Sequence, residues 1–172
     1  MTVVDGKRRG QSGMAYVELM LITPLLAIIL LGSIDLGRLI FFSQVMANLT
    51  REAGSLVSRG STPEQAVAAT ELSDDPLDIS VDGIVIISRV RRQGTFDGTP
   101  VIFEQTASGP LFTFTSRVGL LGGTANIPGI TELDDGVILT AVEIAHDYDP
   151  VFNLSAWGMS PWPDDLYDVA WF

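Results

Sequence analysis

The sequence predicts an α+β protein in which a long N-terminal helix, transmembrane and then amphipathic, packs on a small antiparallel β-sheet. Three observations carry this expectation. Leu19 to Ile34 contains no charged residue. Apolar residues then recur at three- and four-residue spacings as far as Val57, the signature of an amphipathic helix. Beyond Gly60, runs rich in Ile and Val alternate with turn residues, as strands do. The bulk composition agrees. Of 172 residues, 47% are apolar and only 18% charged, against roughly 25% charged in an ordinary globular domain. Such a chain is neither disordered nor a collagen-like repeat.

The first element is a basic leader, residues 1–13. Lys7, Arg8 and Arg9 outweigh Asp5 there, a balance of +2 that leaves −13 for the remainder of a chain whose net charge is −11. An acidic body has no surface for neutralising phosphates, so nucleic acid is excluded as a partner. By the positive-inside rule the basic end stays cytoplasmic, and the acidic body lies across the membrane in the periplasm.

The second element is the helix, residues 14–59. Met14 to Ile34 holds 21 residues with one charge, Glu18. A spanning helix needs about 20 predominantly apolar residues, whereas a secretory h-region has ~7–15 and ends in a small-residue cleavage site. No such site follows this run, so it is expected to remain as an anchor. The amphipathic continuation places Leu39, Ile40, Phe42, Val45, Met46, Leu49, Ala53, Leu56 and Val57 on one stripe, with Gln44, Asn48, Arg51 and Glu52 opposite. The part from Val45 onward is expected to cover the sheet, and Leu39 to Phe42 to face partner helices. Gly60 is expected to stop the helix. Pro24 is expected to bend it, because proline lacks the N–H for the helix ladder.

The third element is an acidic α+β domain, residues 60–172. Thr62-Pro63-Glu64-Gln65 reads as a helix start, with Thr62 as N-cap and Gln65 completing a capping box. That helix should reach Leu72. Strands are expected over 78–92 with a bulge at Gly83, then over 100–106, 111–117 and 137–147. The Gly-rich stretch 119–136 should be a loop. All three tryptophans, Trp157, Trp162 and Trp171, fall in the C-terminal tail, where they either cap the core or form a docking surface.

Catalytic chemistry is poorly supplied. The chain has no cysteine and one histidine, so thiolate metal sites, cysteine nucleophiles and histidine cages have no residues to build them. His146 is expected to be a solvated strand-end residue. Asp134, Asp135, Asp147 and Asp149 lack EF-hand spacing. No cofactor or metal is implied.

The residues with the most chemistry are Gly13-Met14-Ala15-Tyr16-Val17-Glu18. A glycine lets extended backbone enter a peptidase cleft; a hydrophobic residue follows, and a carboxylate stands fifth after the glycine. With the basic leader before it and the apolar run after, this string resembles the processing site of type IV prepilins and pseudopilins. The longer pattern runs through Ala15-Tyr16-Val17-Glu18-Leu19, Thr23-Pro24-Leu25-Leu26 and Gly32-Ser33-Ile34-Asp35-Leu36-Gly37-Arg38. It resembles the TadE-type pseudopilins of the tight-adherence (Flp) pilus assembly machinery, over about a quarter of the chain. TadG-like relatives tend to be longer.

That resemblance implies a type IV pilin-like fold, a non-enzymatic minor pilin, and cleavage between Gly13 and Met14 by a prepilin peptidase. It also implies Glu18 as the residue for peptidase recognition and assembly, with Pro24, Asp35 and Arg38 as possible helix–helix contacts. The implied partners are the peptidase, other pilin-like subunits and the inner-membrane assembly platform. The alternative is a membrane-anchored periplasmic enzyme or binding domain that carries a pilin-like anchor.

Overall fold

A computed structural model describes residues 7–93, 98–108, 114–152 and 162–172. Contacts divide the chain into two units. One comprises Met1–Arg38 with Pro150–Ser160, the other Leu39–Asp149 with Pro161–Phe172. Helix α1, Lys7–Ser58, contributes to both.

The helix starts at Lys7, ahead of the expected Met14. Lys, Arg and Gln are good helix formers, and an internal glycine costs only about 1 kcal/mol. It runs through Pro24 and ends where expected, in a Schellman motif. The Ser61 N–H donates to the Leu56 carbonyl and the Gly60 N–H to the Val57 carbonyl. Gly60 sits at φ +100°, a backbone conformation that costs glycine little.

The second unit is an antiparallel sheet of four strands in the order β2-β1-β3-β4, with helices on one face. The strands are β1 Gly83–Arg92, β2 Pro100–Ala107, β3 Ile138–Asp147 and β4 Asp165–Trp171. Helix α2, Pro63–Leu72, carries the expected Thr62–Gln65 capping box. A single turn, α3 Ile79–Asp82, feeds into β1.

Three sequence expectations need correction. Residues 78–82 form the α3 turn, and Gly83 opens β1 instead of bulging it. The register shift lies between Arg89 and Val90, where Phe103 is the extra residue on β2. Residues 114–117 of the expected strand 111–117 are irregular, and 111–113 lie outside the described residues. The fourth strand comes from the tail: Tyr167, Val169 and Trp171 alternate along β4, but Asp165 and Asp168 weaken its apolar signal.

Side-chain alternation gives the sheet two faces, since successive residues of a strand point to opposite sides. Val85, Ile87, Val142, Ile144 and Leu166 join Met46, Leu49 and Ala53 of α1 in one cluster. Leu39, Phe42, Val45, Leu56 and Val57 pack around it. Leu39 and Phe42 therefore cover the chain's own core, and were expected to face partner helices. Ile40, at the edge of the stripe, is 50% exposed. The opposite face is covered by the long connection between β2 and β3, through Val118, Ala125, Ile127 and Leu133. Trp171 packs on that second cluster and Trp162 on the first, so both cap the core. Trp157 lies outside the described residues.

Leu49→Asp should place an unpaired charge in the first cluster and destabilise the fold by ~3 kcal/mol or more. Asn48→Asp, one residue away on the exposed face, should change stability by less than about 0.5 kcal/mol. Thermal melting of the two variants checks this; equal midpoints would show that the helix does not share the sheet's core.

Candidate functional site

Gly13 lies within the helix, and a Cβ placed there would meet nothing within 4 Å. Met14 is 72% exposed, and Glu18 and Pro24 are exposed as well. From Gly13 to Leu30 every residue is exposed. A helix this apolar with no protein cover needs a non-aqueous surround, because exposing it to water costs about 25 cal/mol per Å². Among the described residues α1 is the one helix long and apolar enough to cross a membrane, and none of its most apolar stretch is buried within the chain. Polar groups on this stretch are satisfied locally. Thr23 donates its hydroxyl to the Leu19 carbonyl and Ser33 to the Ile29 carbonyl, both at 2.7 Å. Such back-bonding removes the cost of an unpaired hydroxyl in lipid.

Asp35 and Arg38 differ sharply in environment. Asp35 is fully buried. Its two oxygens accept the backbone N–H groups of Val151 and Phe152, each at 2.8 Å. The Arg38 guanidinium stands 3.9 Å from the same carboxylate and is 37% exposed. At that separation it adds electrostatic support rather than a hydrogen bond. The carboxylate therefore ties the segment after β3 to α1 within the first unit. Sequence spacing indicated the Asp35–Arg38 pair but not the backbone partners, which are more than a hundred residues away.

Two further polar residues stand out in the second unit. Glu143, on the central strand β3, is buried on the face away from the helices. It accepts hydrogen bonds from the Ser116 hydroxyl, the Arg117 and Val118 N–H groups and the Tyr167 hydroxyl. Burial, followed by the Glu143 charge and hydrogen bond, raises the Tyr167 pKa far above its usual value. The Arg117 guanidinium lies 4.2 Å from the Tyr167 ring centroid and pairs with Asp165 at 2.8 Å. This network holds the irregular segment 114–119 against the sheet. Its members were not singled out by the sequence, and a lone Glu amid apolar strand residues was the available signal.

His146 corrects an expectation. It is 5% exposed, not solvated, because its parity on β3 points it toward α1. Its ring meets Phe42 edge to face at 5.7 Å, and its Nδ1 has no partner among the described residues. Desolvation lowers its pKa, against the opposing pull of Asp82, Asp147 and Asp74. Asp134 and Asp135 precede β3, whereas Asp147 ends it, so these carboxylates are separated by the length of a ten-residue strand. No group of three or more His, Asp or Glu among the described residues is placed to hold a metal.

Asp35→Asn should leave one acceptor oxygen for two N–H groups and cost roughly 1–3 kcal/mol locally. Hydrogen exchange at the Val151 and Phe152 amides should then accelerate by at least tenfold. Unchanged exchange would show that the carboxylate does not hold this segment.

Residues 13–55 match a family model described as TadE-like protein. No curated protein and no solved structure matches the chain significantly. The matched stretch begins at Gly13, takes in the exposed apolar helix and Asp35, and ends within the part of α1 that covers the sheet. Over that helix, about a quarter of its length, the chain is similar to TadE-like proteins.

Proposed function

We propose that the chain is a pseudopilin or minor pilin acting in assembly of a tight-adherence pilus, and that a prepilin peptidase cleaves it between Gly13 and Met14. The observation that carries the reading is the TadE-like stretch starting at Gly13, with the exposed apolar helix directly after it. The basic leader stays cytoplasmic and the acidic unit lies in the periplasm, in line with the charge asymmetry.

In this reading each residue has a task. Gly13 is helical and uncrowded, so the peptidase must unwind one turn to reach an extended scissile bond. Glycine makes that unwinding cheap, since it is the poorest helix former after proline. Cleavage turns Met14 into the new N-terminus and brings Glu18 into the first turn and a half of the shortened helix. There its carboxylate is favoured by the helix dipole and can neutralise an amine in a neighbouring subunit, an ion pair that low dielectric strengthens. Pro24 is exposed and Arg38 partly so, which leaves both accessible to helix–helix contacts, while Asp35 is engaged within its own chain.

Gly13→Lys should block processing. An immunoblot of membranes should show the wild type about thirteen residues shorter than this variant, and equal sizes would sink the prepilin reading. Glu18→Ala should still be inserted and cleaved, because the apolar run and Gly13 remain. It should reduce coprecipitation with pilin-like subunits at least severalfold; undiminished association would confine Glu18 to a role at the membrane surface.

A further inference from the structure

The second unit is polarised along its strands. β1 runs from Gly83 to Arg92, about 31 Å at the antiparallel rise. At its far end lies an open cleft of about 730 Å³, lined by Arg91, Arg92, Phe103, Leu121, Asp135 and Ile138. The Arg91 guanidinium is held 4.9 Å from the Phe103 ring centroid, which fixes its position without neutralising it. Leu121 and Ile138 are 61% and 48% exposed. The cleft thus sets two arginines and one carboxylate beside exposed apolar side chains, in a chain of net charge −11.

The complement lies at the other end of the same unit. α2 starts beside β2, where Glu64 accepts from Thr106. It ends at Leu72, just before the segment in which Asp74 accepts the Ile79 N–H beside the start of β1. Leu72 is 88% exposed, the most exposed large apolar residue among those described. Glu71, Asp74 and Asp75 surround it in sequence. An apolar knob flanked by carboxylates is complementary in charge to a cleft where two arginines outnumber one carboxylate beside apolar side chains. A collar of carboxylates also sets this knob against anionic surfaces.

We propose that a second copy of this chain seats Leu72 in the Arg91–Phe103 cleft, making a head-to-tail contact between second units. The two surfaces lie at opposite ends of one unit, so the contact is heterologous and propagates beyond a dimer. It involves neither Gly13 nor Glu18, so it forms in the uncleaved chain and stands or falls separately from processing.

The natural chain contains no cysteine, which makes thiol cross-linking clean. The full-length chain carrying both Ser73→Cys and Gln93→Cys, exposed positions beside the knob and the cleft that leave Leu72 and Leu121 intact, in detergent with micelles in excess, is treated with a short bismaleimide. One position lies near the start of β1 and the other just past its end, so a strand of ~31 Å at the antiparallel rise separates them, farther than the reagent reaches. The double variant should give a ladder of dimers, trimers and higher species. The two single variants mixed together should stop at dimers, and each alone should stay monomeric. Adding Arg91→Glu to the double variant should reduce the ladder at least fivefold, and Glu71→Arg should restore it in part. A monomeric double variant would overturn the proposal. So would a Ser73→Cys chain that cross-links to itself as well as the mixture does, or a ladder indifferent to Arg91→Glu in a variant that melts normally.

Discussion

Strand β3 sits inside a four-stranded sheet whose faces are both covered, and the rest of the second unit is arranged around that constraint. Its alternate residues meet different environments. Val142 and Ile144 meet the helices, whereas Ala141, Glu143 and Ala145 meet the connection that crosses the other face. Glu143 is the costly member of this set. A buried carboxylate without partners is destabilising by several kcal/mol, and one with a full set of donors is not. Four donors converge on it, three of them from consecutive residues of an irregular segment. The carboxylate thereby determines where that segment lies, and the segment in turn covers the face that no helix reaches.

The opposite face depends on close approach by α1. Gly54 faces the Phe172 ring, and a Cβ there would overlap it. Phe172 is held in place by a pair of backbone hydrogen bonds with Thr140, at 2.8 and 2.9 Å. Thr50, buried at the same interface, is satisfied by donating to the Met46 carbonyl at 2.7 Å. Small and self-satisfied residues on the inward face let the helix lie close to the strands without leaving a polar group unpaired.

The same helix meets two kinds of surroundings, and its sequence changes accordingly. From Leu19 to Ile34 no side chain is charged, and the Thr23 and Ser33 hydroxyls bond back to the helix. After Arg38 only one stripe is apolar. The TadE-like match spans both parts, so the matched stretch includes the anchor and the surface on which the acidic unit is built. The segment that carries the proposed processing chemistry is thus continuous with the one that organises the fold, whereas the Leu72 knob and the Arg91 cleft lie outside the matched stretch.

By itself the sequence determined what depends on local periodicity and local chemistry. The uncharged run, the amphipathic stripe, the Gly60 stop, the Thr62 capping box and the strands expected at 100–106 and 137–147 are all set by neighbours within a few residues. The Gly13–Glu18 spacing is local as well. The tertiary structure decided whatever depends on residues distant in the chain. Asp35 looked like a partner for Arg38 because the two are one turn apart; its backbone partners, Val151 and Phe152, come near only through the fold. His146 looked solvated at a strand end until the parity of β3 turned it toward Phe42. The tail became a strand because β3 offered an unpaired edge whose N–H and C=O groups needed partners, and pairing energy of that kind leaves little trace in the composition of the segment that supplies it.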